Sequence, residues 1–193
     1  MDYPEYAKVD NELYPINTDF RVAIRCNEVA QDKTIGDYER AMAIIYLLFG
    51  DKGLESKNKQ VLLDKALYFL SCGKEVEKND TNEKPDMDFV EDYDLIEASF
   101  MSDFHIDLSN TKMHWWKFNK LINGLSNSEM GNCCVLNRVR NLRTYDLSQI
   151  SDSKERQKMR KAQEAVALKK NQEIELTEEQ EQSLEMFYKS LKA

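Results

Sequence analysis

Between residues 89 and 100 the chain runs Phe89-Val90-Glu91-Asp92-Tyr93-Asp94-Leu95-Ile96-Glu97-Ala98-Ser99-Phe100. Its large apolar residues Phe89, Tyr93, Ile96 and Phe100 stand four, three and four positions apart. Side chains so spaced share one face of a helix with 3.6 residues per turn. Glu91, Asp92, Asp94, Glu97 and, a turn further on, Asp103 fall on other faces and are expected in water. An amphipathic helix with an aromatic edge cannot bury that edge alone, so it calls for neighbouring helices.

Those neighbours are legible on both sides. Upstream, Asp19 precedes Phe20, Val22, Ala23, Ile24 and Val29, a first helix. Thr34 and Asp37 are placed to cap a second, in which Ala41, Ile44, Ile45 and Leu48 recur at i, i+3, i+4 and i+7. Met42, Leu47 and Phe49 make that helix apolar almost all round, which marks it as central, and Gly50 and Gly53 are expected to end it. A third is predicted over about 56–72, with Leu62, Ala66, Phe69 and Leu70 on one side and Gly73 at its C-terminal cap. Downstream, Trp115, Phe118, Ile122 and Leu125 line a helix expected over about 110–125. Ser126 or Ser128 is expected to start another, with Val135, Val139 and Leu142 aligned and Arg138, Arg140 and Arg143 near its C-terminus, where positive charge suits the helix dipole.

Only the beginning reads differently. Tyr6–Val9 and 13–16 are short β-prone runs on either side of Asp10-Asn11, a turn signal, so a small hairpin is predicted, with Pro15 confining the second strand to an edge. The polar stretch 74–88 is predicted to be a mobile surface loop. From Ser151 the texture becomes charged, with a thin apolar side of Met159, Ala162 and Val166. Thr177 and Gln180 have capping-box spacing, ahead of an amphipathic stripe of Leu184, Phe187, Tyr188 and Leu191. The expected fold is therefore all-α: a compact multi-helix domain over 1–150 with a small N-terminal β-hairpin, and an amphipathic helical segment over 151–193. No repeat and no sustained heptad occurs.

Composition narrows the function. The 193 residues are 41% hydrophobic and 32% charged, enough for one core under a very soluble surface, and the formal net charge is -8. An acidic surface repels phosphate backbones and disfavours nucleic acid and basic-face membrane attachment alike. The first residues carry neither a basic nor an apolar signal region, and no window of about 18 apolar residues exists to span a bilayer. Cys26, Cys72, Cys133 and Cys134 have no C-x-x-C spacing and are expected as reduced thiols, with neither zinc nor a disulfide framework.

Chemistry is sparse. His105 has Asp103 and Asp107 close in sequence, but a histidine at the end of the aromatic helix also serves its terminal carbonyls, and no metal is expected. The carboxylates around Asp92 and Asp94 have no cleft to work in, so a solvated face is expected rather than acid–base catalysis. Neither a nucleophile elbow nor a phosphate-binding glycine loop occurs. The basic run 154–161 contains Glu155 and is read as a solvated face. No catalytic residue and no cofactor are assigned. Trp115-Trp116 is the most unusual feature. Adjacent helical residues diverge by about 100°, so both rings are not expected to face one way. One enters the core while the other serves a surface or partner, or both are held between helices. Trp115, Trp116, Leu184, Phe187 and Leu191 are the candidate partner-binding residues.

The segments Asp94-Leu95-Ile96-Glu97-Ala98-Ser99-Phe100, His105-Ile106-Asp107-Leu108 and Met113-His114-Trp115-Trp116-Lys117-Phe118 resemble a bacteriophage family known as gene product fifteen. Asp19-Phe20-Arg21 upstream and Asn137-Arg138-Val139-Arg140 downstream extend the likeness over roughly residues 10–145. The family resembles proteins encoded between the tail-tube and tape-measure genes of long-tailed phages. The resemblance implies a tail assembly chaperone that coats the tape-measure protein, recruits tail-tube subunits, self-associates and works in the host cytoplasm. The alternatives are a structural tail or connector component kept in the virion, and a small phage nucleic-acid-binding factor. The resemblance implies no enzymatic residue.

Overall fold

Residues 3–74, 85–127 and 133–169 are described by a computed structural model. The chain opens with β1 (Tyr6–Val9) and β2 (Glu12–Pro15), paired antiparallel around Asp10-Asn11 with Ala7 opposite Tyr14 and Tyr6 opposite Pro15. Asp10 takes φ 52°, the left-handed conformation that short hairpin turns demand and that Asp tolerates. Strand alternation then sends Ala7, Val9 and Tyr14 inward and leaves Tyr6 and Leu13 outside. The Tyr14 hydroxyl, 3.1 Å from Ser56 Oγ, ties the hairpin to the turn before the third helix.

Seven helices follow among the described residues: α1 (Phe20–Gln31), α2 (Asp37–Leu54), α3 (Lys59–Leu70), α4 (Tyr93–Phe104), α5 (Trp115–Asn123), α6 (Val135–Thr144) and α7 (Ser153–Val166). α2 packs between α1 and α3, α5 crosses α1 and α4, α6 lies on α4, and α7 on α6. The fold is thus the predicted all-α domain with its hairpin. None of the helices is long and apolar enough to cross a membrane.

The apolar stripes converge on Phe118. Its ring stacks on Phe20 at 4.6 Å, on Phe100 at 5.1 Å and on Trp115 at 5.7 Å, and Phe89 closes the group against Trp115 at 5.5 Å. Phe20, Phe100 and Phe118 are fully buried. Each such ring contributes about 2–3 kcal/mol by burial, with about 0.5–1.5 kcal/mol more per well-placed aromatic pair.

Several local expectations are corrected. Neither Thr34 nor Asp37 caps α2; Gly36 stands at its N-cap without a side-chain bond, while the Thr34 hydroxyl turns back to Asp32. Gly50 does not end α2 but kinks it, at φ 65° and ψ -158°, a region essentially closed to residues with a side chain, and the helix resumes to Leu54. α6 begins nine residues after Ser126, capped by Cys134, whose Sγ accepts from the Asn137 amide. Its buried members are Leu136 and Asn137, with Val135, Val139 and Leu142 only half-buried. Ser128 lies outside the described residues.

The predicted surface loop is anchored at its distal end. Asp86 pairs with Arg140 at 2.9 Å, the Asp86 carbonyl accepts from Arg143, and Met87 packs on the core. Asp92 is likewise no solvated carboxylate. Its side chain is 2% exposed, and Arg143, 10% exposed, donates to it twice, at 2.7 and 2.8 Å. Asp92 Oδ2 also accepts from the Asp88 amide, and Arg143 Nε donates to the Val166 carbonyl at 2.6 Å. One guanidinium therefore joins the start of α4, the 85–88 segment and the end of α7. The arginines read as dipole partners are, at Arg140 and Arg143, tertiary clamps. α7 has no buried residue, but Leu168 just beyond it is 1% exposed.

Candidate functional site

The paired tryptophans open α5, at its first and second positions. His114 is the N-cap: its backbone is extended, and its Nδ1 accepts from the Trp116 amide at 3.0 Å. With Nδ1 accepting, Nε2 carries the proton of the neutral ring and donates to the Pro4 carbonyl at 3.1 Å. The N-terminal arm is held there, with the Tyr3 ring stacked on His114 at 4.8 Å.

His114 also bridges to Asp19, the N-cap of α1. Phe20 donates to the Met113 carbonyl at 3.0 Å, and Trp115 to the Thr18 carbonyl at 2.8 Å. The Asp19 carboxylate accepts from the Arg21 amide. The Arg21 guanidinium returns to Asp19 and donates to the carbonyls of Leu108, Ser109 and Thr111, closing the turn ahead of α5. Two sequence pieces more than ninety positions apart, Asp19-Phe20-Arg21 and Met113-His114-Trp115-Trp116, thus form one unit in which the two helix starts cap side by side.

Both indoles then reach the same place, the C-terminus of α3. Trp115 Nε1 donates to the Leu70 carbonyl at 2.9 Å and Trp116 Nε1 to the Phe69 carbonyl at 2.8 Å. These are two of the last carbonyls of α3: that of Leu70 lies beyond the helical ladder, and that of Phe69 also accepts from the Cys72 amide. The sequence argument expected the rings to diverge. They diverge around the helix axis, but each is long enough to place its N–H on the same neighbouring helix end. α3 stops in a Schellman geometry, with Gly73 N–H on the Tyr68 carbonyl and Cys72 N–H on that of Phe69. The left-handed C′ residue is Cys72, at φ 56°, where Gly73 was expected. Gly73 follows at φ 76°, where a Cβ would come within 3.0 Å of Trp116.

Of the candidate partner-binding residues, Trp115 is 2% exposed and its ring surface is spent inside the domain. Trp116 is half-buried, with Tyr3, Tyr68 and Phe69 around it at 6.3–6.4 Å. Leu184, Phe187 and Leu191 lie outside the described residues. What the composition argument missed is the ground around Trp116. Leu67 and Tyr68 of α3 are 45% and 54% exposed. Lys120 lies over the Tyr3 ring at 4.8 Å. Burial raises the pKa of the Cys72 thiol, while Lys74 and Lys120, both close to it, pull it back. The signal was available: stretches 65–74 and 110–124 contain five lysines and no Asp or Glu in a chain of net charge -8.

His105, the other histidine, is the exposed left-handed cap of α4 at φ 56°. Asp107 accepts from Ser109 and Asn110, which holds its carboxyl below the usual range. Among the described residues, no group of three or more His, Cys, Asp or Glu is placed to hold a metal ion.

No curated protein and no solved structure matches the chain. Residues 3–168 match the family described as Bacteriophage Gp15 protein. That span begins at the arm stacked on His114 and ends at Leu168, the last buried residue described, so the matched unit coincides with the fold just traced. The chain belongs to the Bacteriophage Gp15 protein family, a membership that points to phage structure or morphogenesis.

Proposed function

We propose that this protein is a tail morphogenesis factor that works by binding proteins rather than by catalysis. In this reading it is an assembly chaperone in the host cytoplasm, which keeps the tape-measure protein soluble and recruits tail-tube subunits. The observation that carries it is the family match over residues 3–168, read with the gene position that such phage proteins resemble. The geometry is compatible. The conspicuous site is built of helix caps and half-exposed aromatic rings, and side chains such as Leu67, Tyr68, Tyr38 and Tyr46 stand at the surface of firmly packed helices. Surfaces of that kind suit an amphipathic helix of a partner.

The experiment is co-expression with the tape-measure protein of the same phage. The partner is expected to become soluble and to co-purify, and Tyr68→Ala together with Leu67→Ser to weaken the recovery. Recovery of the chain in purified virions, with no effect on tape-measure solubility, would overturn the chaperone reading in favour of a structural tail component.

A further inference from the structure

The folded chain presents two surfaces of opposite character. The first, at the end of α3 and the start of α5, is basic and aromatic. The Tyr68 side chain stands half in solvent, edge to face with Trp116 at 6.3 Å. Exposed Lys74 and Lys120 flank Cys72 beside them, and among the described residues neither forms an ion pair with a carboxylate. One turn back from Tyr68, Lys65 is also exposed, and Asp64 accepts from the Gln60 side chain at 3.3 Å.

The second is a groove of about 380 Å³ between α1 and the segment ahead of α4. Its floor is apolar, with Phe89 half-buried and Val90 exposed. Glu28, Asp32, Asp88 and Glu91 line it, and among the described residues no lysine or arginine does. Arg25, one turn before Glu28 on α1, pairs with it at 3.1 Å, which leaves the groove with a net negative charge. A projecting ring set among lysines is the counterpart of an apolar floor rimmed by carboxylates. The two cannot meet within one molecule, because α1 and α3 are both packed against α2 in one core.

We propose that copies of this chain associate head to tail, the Tyr68 ring of one copy over Phe89 and Val90 of the next, with Lys74 and Lys120 facing the carboxylates of that groove. The charges select this pairing, since groove against groove or lysine face against lysine face sets like charges together. The contact takes a different patch from each copy, so every copy keeps one surface open for a further one. Such a heterologous contact builds rings or filaments rather than a closed two-fold dimer. It goes beyond the tape-measure reading and holds or fails with no other protein present.

The test uses the purified full-length chain alone, which keeps its outcome separate from that of co-expression. Sedimentation velocity over a concentration series should show species larger than a dimer that dissociate as salt is raised. Lys74→Glu with Lys120→Glu should weaken association about tenfold, as the loss of two exposed ion pairs allows, and Glu28→Lys with Glu91→Lys should do the same. All four positions are exposed, and circular dichroism checks that the variants keep the fold. Mixing the two variants should restore association, because each retains the surface that the other has lost. A chain that stays monomeric up to about 1 mM overturns the proposal. So does an oligomer that either variant leaves intact, or a mixture that remains dissociated.

Discussion

Removing the Arg143 side chain should cost more stability than removing any exposed charge. Arg143 and Asp92 are 10% and 2% exposed, and their two bonds of 2.7 and 2.8 Å are the side-by-side arrangement in which a guanidinium and a carboxylate fit best. In Arg143→Ala the Asp92 carboxylate stays buried with only the Asp88 amide to stabilise it. Breaking one partner of such a pair costs about 3–5 kcal/mol, because the remaining charge is uncompensated. A domain of this size is stable by roughly 5–15 kcal/mol and loses about 2–4 °C of Tm per kcal/mol, so a fall of roughly 6–20 °C is expected. Arg143→Lys keeps the charge but loses the fork and should fall between. Arg143→Met with Asp92→Leu removes both charges and should recover most of the loss. The remaining deficit reflects the carbonyls of Asp86 and Val166, at about 0.5–1.5 kcal/mol each. Urea and thermal unfolding followed by circular dichroism measure all four proteins. A loss below about 1 kcal/mol in Arg143→Ala, or a double variant no better than the single one, would refute the argument that a buried pair is at stake.

Phe118→Ala should cost about 3–5 kcal/mol, since the fully buried ring contacts Phe20, Phe100 and Trp115, and a urea midpoint close to wild type would contradict its central place. Burial pushes the Cys26 thiol up to about 12, so at pH 8 roughly one part in ten thousand is thiolate. Mass spectrometry after labelling should find half-buried Cys133 and Cys72 modified in the native protein and Cys26 only on unfolding. The Ser126 amide, 2.8 Å from Asp103 Oδ2, holds that carboxyl below its usual range. A lowered folded value means stability present above the unfolded carboxylate range near pH 4 and lost as pH falls through the folded value. Wild type should therefore lose more Tm on acidification below about pH 4 than Asp103→Asn, and parallel curves would count against it.

The helices were legible because apolar spacing reports which side of a helix meets the core, whatever that core is made of. Tyr93, Ile96 and Phe100, and Trp115, Phe118 and Ile122, fell where their spacing put them, whereas Phe89, expected on the same helix, packs on the core from the turn ahead of α4. The hairpin was legible because Asp10-Asn11 and Pro15 act through local backbone geometry. Polar residues were less transparent. Asp92 and Asp94 look alike in sequence, yet one is buried against Arg143 and the other is exposed. Nothing local separates them, because the difference is made by a guanidinium 51 positions away. The tryptophans show the same limit. Their angular divergence on α5 was correct, but where their N–H groups go depends on α3 ending within reach.

By itself, then, the chain's pattern determined an all-α domain with an N-terminal hairpin, a net negative charge, and the segments that carry the family likeness. These depend on the identity and spacing of neighbours along the chain. Only the tertiary structure decided that Asp19-Phe20-Arg21 and Met113-His114-Trp115-Trp116 form one capped unit, that Arg143 clamps three elements, and that Lys74, Lys120, Tyr68 and Trp116 share a face. Side-chain hydrogen bonds and charge contacts act over a few ångströms in space, and the spacing of residues along the chain carries no record of which distant groups folding brings within that reach.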